Sequence, residues 1–315
     1  MLLRAYRDAR DLQKMCALLS AGYLAQTDTY YPHPGDLKWW LFNALSSHHP
    51  WQNIFLWDDP LDEGRLLGWV LLATPWSGME VFVQPELADS PWVGELNGWA
   101  EEKLTEDAHR RNRSTLLRMN VAETDGVLQN HLRSRGFTLL EGEALLVMKG
   151  SLTHELALPS LPDAGYCLRA VGAGELEARA AAQRAAFQSG MAWPEYLARY
   201  RNFFASPGYP AGCDWVVVAP DGQVASFCMV WMDAFSSSVQ VEPVGTAPDF
   251  QRRGLGKAVL LAGLRQAQAL GMRTMRICAR ADNPPAIRLY ESVGFQVVNR
   301  WLTYQKQLAA VETGL

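Results

Sequence analysis

A repeat constrains this 315-residue chain more than any other feature. Moved forward by 158 residues, Met79–Pro85 (MEVFVQP) falls on Ser237–Pro243 (SSVQVEP), with Val81, Val83 and Pro85 on Val239, Val241 and Pro243. The same shift lays Ser134-Arg135-Gly136-Phe137 on Ser292-Val293-Gly294-Phe295, and Leu66–Thr74 on Val224–Met232. The openings agree too, Leu3-Arg4-Ala5 with Leu168-Arg169-Ala170. Self-similarity at one fixed offset means two copies of one folding unit. Each copy reads as a helix, a group of antiparallel strands, a long helix, a strand, a short helix, then Gly-Phe and a last strand. The expected fold class is therefore α/β, in two tandem domains, each a mixed, mostly antiparallel sheet flanked by helices. We expect the first domain over 1–150, a linker over 151–162 and the second domain over 163–315. The stretch 150–162 (GSLTHELALPSLP) has the Pro, Ser and Thr of a linker.

The second copy carries the more informative punctuation. Trp215–Val218 and Val224–Met232 flank the turn signal Pro220-Asp221-Gly222, as a hairpin would. Ser238–Thr246 reads as the next strand, Gly256–Leu270 as a helix stopped by Gly271, and Thr274–Ala279 as a strand. Asn283-Pro284-Pro285 starts a short helix, with Asn as N-cap and Pro at the first turn. Between the strand and the long helix stands DFQRRGLGKAV, Asp249–Val259. Amide groups of Arg252 to Lys257 would converge at a helix N-terminus, where the dipole favours an anion. Gly254 and Gly256 allow positive φ and close approach of a pyrophosphate, and Arg252, Arg253 and Lys257 add charge. Glycines in a turn are not by themselves a phosphate site.

Context makes the turn specific. Gln251-Arg252-Arg253-Gly254-Leu255-Gly256 resembles the Q/R-x-x-G-x-G/A motif of the GNAT N-acetyltransferases. Asp282-Asn283-Pro284-Pro285-Ala286-Ile287-Arg288-Leu289-Tyr290-Glu291-Ser292-Val293-Gly294-Phe295 resembles that family's DNxxAxxLYxxxGF signature. The resemblance spans about 165–305 and makes the chain a tandem-domain type with one intact copy. It implies acetyl-CoA as co-substrate, with Gln251, Arg252, Arg253, Gly254, Leu255, Gly256 and Lys257 around its pyrophosphate. Val244, Gly245 and Thr246 would hold the pantetheine arm through main-chain groups, and Asn283 would touch it near the thiol.

An alkyl amine with a pKa of about 10 must lose a proton before it attacks a thioester. Glu242, on the strand that leads into the cofactor segment, is the expected base, directly or through water. Glu242, Val244 and Thr246 share one strand face. The resemblance gives Tyr290 the role of proton donor to the leaving thiolate, and the N–H of Val244 would polarise the thioester carbonyl.

The first copy fails the same test. The shift turns Arg252, Arg253 and Gly254 into Gly94, Glu95 and Leu96, and Glu242, Asn283 and Tyr290 into Gln84, Asp125 and Leu132. Only Gly98 survives, opposite Gly256, so this half is expected to be a degenerate GNAT-like domain. It holds eight of the twelve tryptophans, of which Trp39, Trp40 and Trp76 are candidates for an acceptor pocket or an interface. In the second copy, Trp193, Glu195, Tyr196, Tyr200 and Arg201 are candidate acceptor residues.

The acceptor is expected to be a small-molecule amine or a peptide. In tandem layout the chain is also similar to mycothiol-synthase-like enzymes, although Glu242-Pro243-Val244-Gly245-Thr246 fits another branch. A non-catalytic acyl-CoA-binding regulatory protein is the remaining alternative. The net charge of −4 argues against a nucleic-acid partner. Five scattered cysteines and an adjacent His48-His49 give neither a disulfide framework nor a metal site. No stretch approaches the ~20 apolar residues of a membrane span, and no leader pattern opens the chain, so a cytoplasmic protein is expected.

Overall fold

In a computed structural model, residues 3–309 are described, apart from 26–29, 163–164 and 207. The expected start of the second domain at 163 lies outside the described residues. The first copy runs β1 (Arg4–Ala5), α1 (Ala9–Ala25), α2 (Pro34–Trp39), β2 (Ile54–Asp59), β3 (Asp62–Ala73), β4 (Gly78–Val83), α3 (Pro91–Arg110), β5 (Thr115–Ala122), α4 (Gly126–Ser134), β6 (Thr138–Leu139) and β7 (Leu145–Ser151). The second runs β8 (Cys167–Ala170), α5 (Leu176–Ala186), α6 (Trp193–Phe204), β9 (Asp214–Val218), β10 (Val224–Asp233), β11 (Ser238–Thr246), α7 (Leu255–Ala269), β12 (Thr274–Arg280), α8 (Pro284–Glu291) and β13 (Gln296–Gln307). The element types follow the order read from the repeat, and the class is the expected mixed α/β.

The repeated Ser-x-Gly-Phe has a local cause. Asp125 caps α4 through the Leu128 N–H (2.9 Å), and Asn283 caps α8 through the Ala286 N–H (3.3 Å). Each helix then ends just before a glycine in the left-handed region, Gly136 at φ 84° and Gly294 at φ 99°. A side chain there would clash with the following carbonyl, so glycine stops the helix and turns the chain. The phenylalanine that follows, Phe137 or Phe295, is buried under the long helix of its copy.

The two sheets are not separate. The strands join in one sheet, in the order β1-β2-β3-β4-β5-β13-β7-β12-β11-β10-β9-β8. The last strand of each copy has crossed into the other. β7 pairs antiparallel with β12 (Ile277 opposite Met148), and β13 pairs antiparallel with β5 (Leu302 opposite Val121). The two crossing strands also pair with each other, Val297 opposite Met148. Strand pairing thus runs across residue 150, and the division there describes the sequence rather than the sheet.

Helices cover both faces. α3 packs on β4 and β5 over Leu96, Ala100 and Leu104. α7 packs on β9, β10 and β11 over Val259, Leu260 and Leu264. Met148, contributed by β7, sits inside the core under α7. Replacing Met148 by Ala should cost about 2–5 kcal/mol, as for other buried large-to-small changes. We expect urea unfolding to stay a single transition in both proteins. Two separate transitions would show that the halves fold independently.

Candidate functional site

A cleft opens where two neighbouring strands part. β11 and β12 run parallel and are paired only from Ser238–Thr274 to Val241–Ile277. Beyond Val241 the edge of β11 facing β12 is open, while its other edge stays bonded to β10. The parting coincides with a bulge: Cys228 lies opposite Val244 and Val230 opposite Val241, so Glu242 and Pro243 share one partner, Met229. A bulge bends its strand and re-aims the residues beside it. The first copy has no such bulge, because β3 and β4 pair without interruption from Gly68–Val83 to Ala73–Gly78. That pairing also corrects an alignment made from sequence. Gly78 closes its hairpin where Ser238 closes the other, which puts Phe82, not Gln84, in the place of Glu242.

The cleft has a volume of ≈ 740 Å³. Glu242, Val244, Gly245, Thr246, Gln251, Arg252, Gly254, Leu255, Gly256, Lys257, Asn283 and Tyr290 all line it. Arg253 is the exception among the catalytic and cofactor residues expected from sequence. Its guanidinium donates to the Tyr166 hydroxyl (3.0 Å) and the Asp249 carbonyl (3.1 Å), away from the cleft. Only its main chain is left for the turn.

At one end of the cleft α7 starts without a side-chain cap, at Gly254. The first amides of a helix have no partner within it, so those of Leu255, Gly256 and Lys257 are available to a ligand. Arg252 (φ 61°) and Gly254 (φ 77°) both take left-handed conformations to shape this turn. At Gly256 a Cβ would meet Thr246 Oγ1 at 3.1 Å and Leu289 Cδ2 at 3.4 Å, so glycine lets α7 sit close to β11 and α8.

At the other end the first copy intrudes. α2 packs against β10 and β11 and brings Trp39 to the cleft wall. A Cβ at Gly35 would lie 2.5 Å from Cβ of Trp231, so only glycine allows this approach. His33 opens α2 in a capping box with Asp36, and its Nε2 lies 3.1 Å from Ser238 Oγ. The Asp36 carboxylate accepts from the His33 amide (2.8 Å) and from Arg276 of β12, an ion pair buried on both sides. Arg276 also donates to Gln240 (3.1 Å) and lies 4.5 Å from the centre of the Trp301 ring.

This surrounding sets the proton affinities. Burial pushes the Glu242 carboxyl well above the usual carboxylate range, and the neighbouring Asp36 carboxyl pushes it the same way, with Arg276 opposing. Burial also raises the Tyr290 phenol, with smaller contributions from Cys228, Glu242 and Cys278. His33 is driven down to about 4, mainly by burial, and so is neutral near pH 7.

Sequence reasoning missed Asp36, His33 and Arg276. The signals were there: His-Pro-Gly-Asp is a helix-start pattern, and an arginine inside an apolar strand needs a counter-charge. The acceptor residues expected on α6 are not at the cleft. Tyr196 and Tyr200 are buried, and the Tyr200 hydroxyl donates to Gln183 (2.7 Å) beside the buried Arg179–Asp214 pair. Arg201 pairs with Glu177 at the surface. Phe187 and Ala186, from the end of α5, line the cleft instead. Of the tryptophans expected at a pocket, Trp39 reaches it, while Trp40 and Trp76 pack against the core of the first copy. Among the described residues no group of three His, Cys, Asp or Glu could hold a metal. Nor is any described helix long and apolar enough to cross a membrane.

Residues 178–295, which contain the parted strand pair, the glycine turn and the start of α7, match the family model described as Acetyltransferase (GNAT) family. The match lies within the second copy of the repeat and shows a GNAT acetyltransferase domain there. Its relatives include a mycothiol acetyltransferase of Streptomyces avermitilis, 32% identical over 159 residues, 49% of this chain and 50% of that protein. Another, from Actinosynnema mirum, is 37% identical over 89 residues, 28% of this chain and 29% of that protein. The chain thus spans at most half the length of these curated relatives. Over the whole chain the fold is similar to that of a tandem GNAT protein from the clavulanic acid biosynthesis pathway. That match has a TM-score of 0.69, covers 99% of both chains and is 14% identical. Among the described residues, the bulge at Glu242-Pro243, the uncapped basic turn and Tyr290 belong to the second copy.

The Arg276–Asp36 pair makes a stability prediction. Arg276→Met leaves Asp36 a buried charge without its partner, which should cost about 3–5 kcal/mol. Denaturant unfolding of the purified variant checks this, and a loss below about 1 kcal/mol would mean the pair is solvated.

Proposed function

We propose that this chain transfers an acetyl group from acetyl-CoA to an amine, carried by a small molecule or a peptide, with both bound together in the cleft between β11 and β12. The observation that carries this reading is the convergence, in one cleft, of an uncapped helix N-terminus, a carboxylate and a phenol. The amides of Leu255, Gly256 and Lys257, with the Arg252 and Lys257 side chains, would hold the pyrophosphate. The open edge of Val244 to Thr246 would hold the pantetheine arm as an added strand. Acetyl-CoA, when bound there, supplies an acetyl group activated as a thioester.

The residues of the chain would manage the protons. The acceptor nitrogen loses two protons as its bond to the acetyl carbon replaces the carbon–sulfur bond. Glu242 takes one and passes it to water. The other replaces the proton that Tyr290 gives the departing sulfur. With reference values, a phenol protonating a thiolate is uphill by about 2 kcal/mol. The buried Tyr290 makes it steeper, so the transfer must be concerted with loss of the sulfur. A raised Glu242 suits the other step, because a base works best with a pKa near the working pH.

The acceptor enters beside Trp39 and Phe187, so an amine attached to an apolar or ring-bearing group is favoured. The named relatives favour a second, narrower reading, in which the acceptor resembles the substrate of a mycothiol acetyltransferase.

A panel of amines assayed by thiol release from acetyl-CoA tests the proposal. For the best acceptor, Tyr290→Phe and Glu242→Gln should each lower kcat on the order of 10²-fold or more, with acetyl-CoA affinity little changed. Equal turnover by Tyr290→Phe and wild type would remove Tyr290 from the reaction. Tight acetyl-CoA binding with no turnover by any amine would favour a regulatory acyl-CoA-binding protein.

A further inference from the structure

Both copies bury an arginine on the strand after the long helix, Arg118 on β5 and Arg276 on β12, related by the 158-residue repeat. Their counter-ions differ. Arg118 finds Glu80 on the neighbouring strand of its own copy, at 2.7 Å. On β11, the equivalent neighbour, Arg276 finds only the neutral Gln240. Its counter-charge, Asp36, is delivered by the other copy on α2. Asp36 is thereby held beside Glu242: Gly35 packs on Trp231, whose Nε1 donates to the Glu242 carbonyl, and Arg276 links Asp36 to Gln240, two residues before Glu242 on β11.

We propose that Asp36 is a positioning residue for Glu242: the two carboxyl groups form one acid–base unit that takes up a single proton, with Arg276 as its fixed counter-charge. This rests on the reading of Glu242 as the base. Asp36 is pinned from three sides, by Arg276, by the His33 amide and by the close seat of Gly35 against Trp231. The main chain of Glu242 is pinned as well, since its carbonyl accepts from Trp231 Nε1 at 2.6 Å. Two carboxyl groups held together cannot both lose their protons easily, so the pair binds one proton more tightly than a lone carboxylate. When the acceptor ammonium gives up its proton, the N–H bond breaks and the proton joins the Glu242–Asp36 pair. From there it leaves to water through the cleft.

The titratable and charged groups around Glu242 come from three other elements. They are Asp36 and the buried His33 from α2 and its cap, Arg276 and Cys278 from β12, and Tyr290 from α8. Cys278 is pushed up to about 12 and His33 down to about 4, so neither changes charge near neutral pH. The raised affinity of Glu242 agrees with the pair, and its sign sets the test. Activity needs the pair to be free of its extra proton, so kcat/KM rises with pH through the proton affinity of the pair.

The test compares pH profiles of kcat/KM for wild type and Asp36→Asn, with the best amine from the panel. The acidic limb of Asp36→Asn should move to lower pH by about one unit or more. A merely structural role would lower the rate and leave the limb in place, which would overturn the proposal. Glu242→Gln separates the two claims. If the acidic limb persists in it, Glu242 is not the base, and the functional reading itself fails. Asp36→Asn strips Arg276 of its partner and can fail to fold. A second measurement therefore uses the wild-type chain with 13C-labelled glutamate and aspartate carboxyls, the Glu242 signal assigned by Glu242→Gln, and needs no turnover. Titration of Glu242 well above the ordinary carboxylate range, with the 13C–Glu and 13C–Asp signals of the pair responding together, supports the unit. Titration in the ordinary range overturns it.

Discussion

The exchange of β7 and β13 is the interaction on which the rest of the molecule depends. Each strand supplies main-chain bonds that the other half would otherwise leave as an open edge. An unpaired edge between β12 and β5 would be both unstable and open to other chains. Met148 of β7 fills the core under α7, and Leu302 and Tyr304 of β13 fill the core under α3. Neither hydrophobic core is complete without a strand from the other half. That fixes the orientation of the halves and so fixes where α2 meets β11.

The cleft then follows from a local difference between two related hairpins. In the first copy β4 stays in register with β3 as far as Val83. In the second, one extra residue at Glu242-Pro243 bulges β11 and turns Val244 to Thr246 away from β12. The same fold therefore yields a wide cleft in one half and, in the other, a space of ≈ 70 Å³ bordered by Arg118, Asn120 and Asp125. The first copy has not become inert. It furnishes Trp39 to the wall of its neighbour's cleft and Asp36 to the ion pair with Arg276.

Local signals carried the sequence reading, and long-range ones limited it. The helix starts at Gly254 and Asn283, the stops at Gly271 and Gly294, and the turn residues lining the cleft are set by backbone chemistry within a few positions. The repeat gave the element order for the same reason. What was not legible depends on how distant segments meet. Strand exchange leaves no mark on hydrophobic periodicity, since β7 is equally apolar whichever sheet it joins. The bulge shifts pairing by one residue without changing composition, which is why Gln84 was aligned where Phe82 belongs. Tyr196 and Tyr200 have the look of pocket aromatics, but α5 and the Arg179–Asp214 pair bury them. Arg253 shared a basic turn with Arg252, yet Tyr166 draws its side chain away.

A buried ion pair between the halves is a costly way to join them, because desolvating both charges consumes most of their attraction. Apolar residues at 36 and 276 would join the halves at least as well. The pair makes sense for what it does to a third group. Arg276 compensates Asp36 closely enough to keep it buried, and Asp36 in turn bears on Glu242 at the cleft wall. An apolar contact would transmit position but no field. The ion pair transmits both, so the proton affinity at the site becomes a property of the docked halves rather than of the second copy alone.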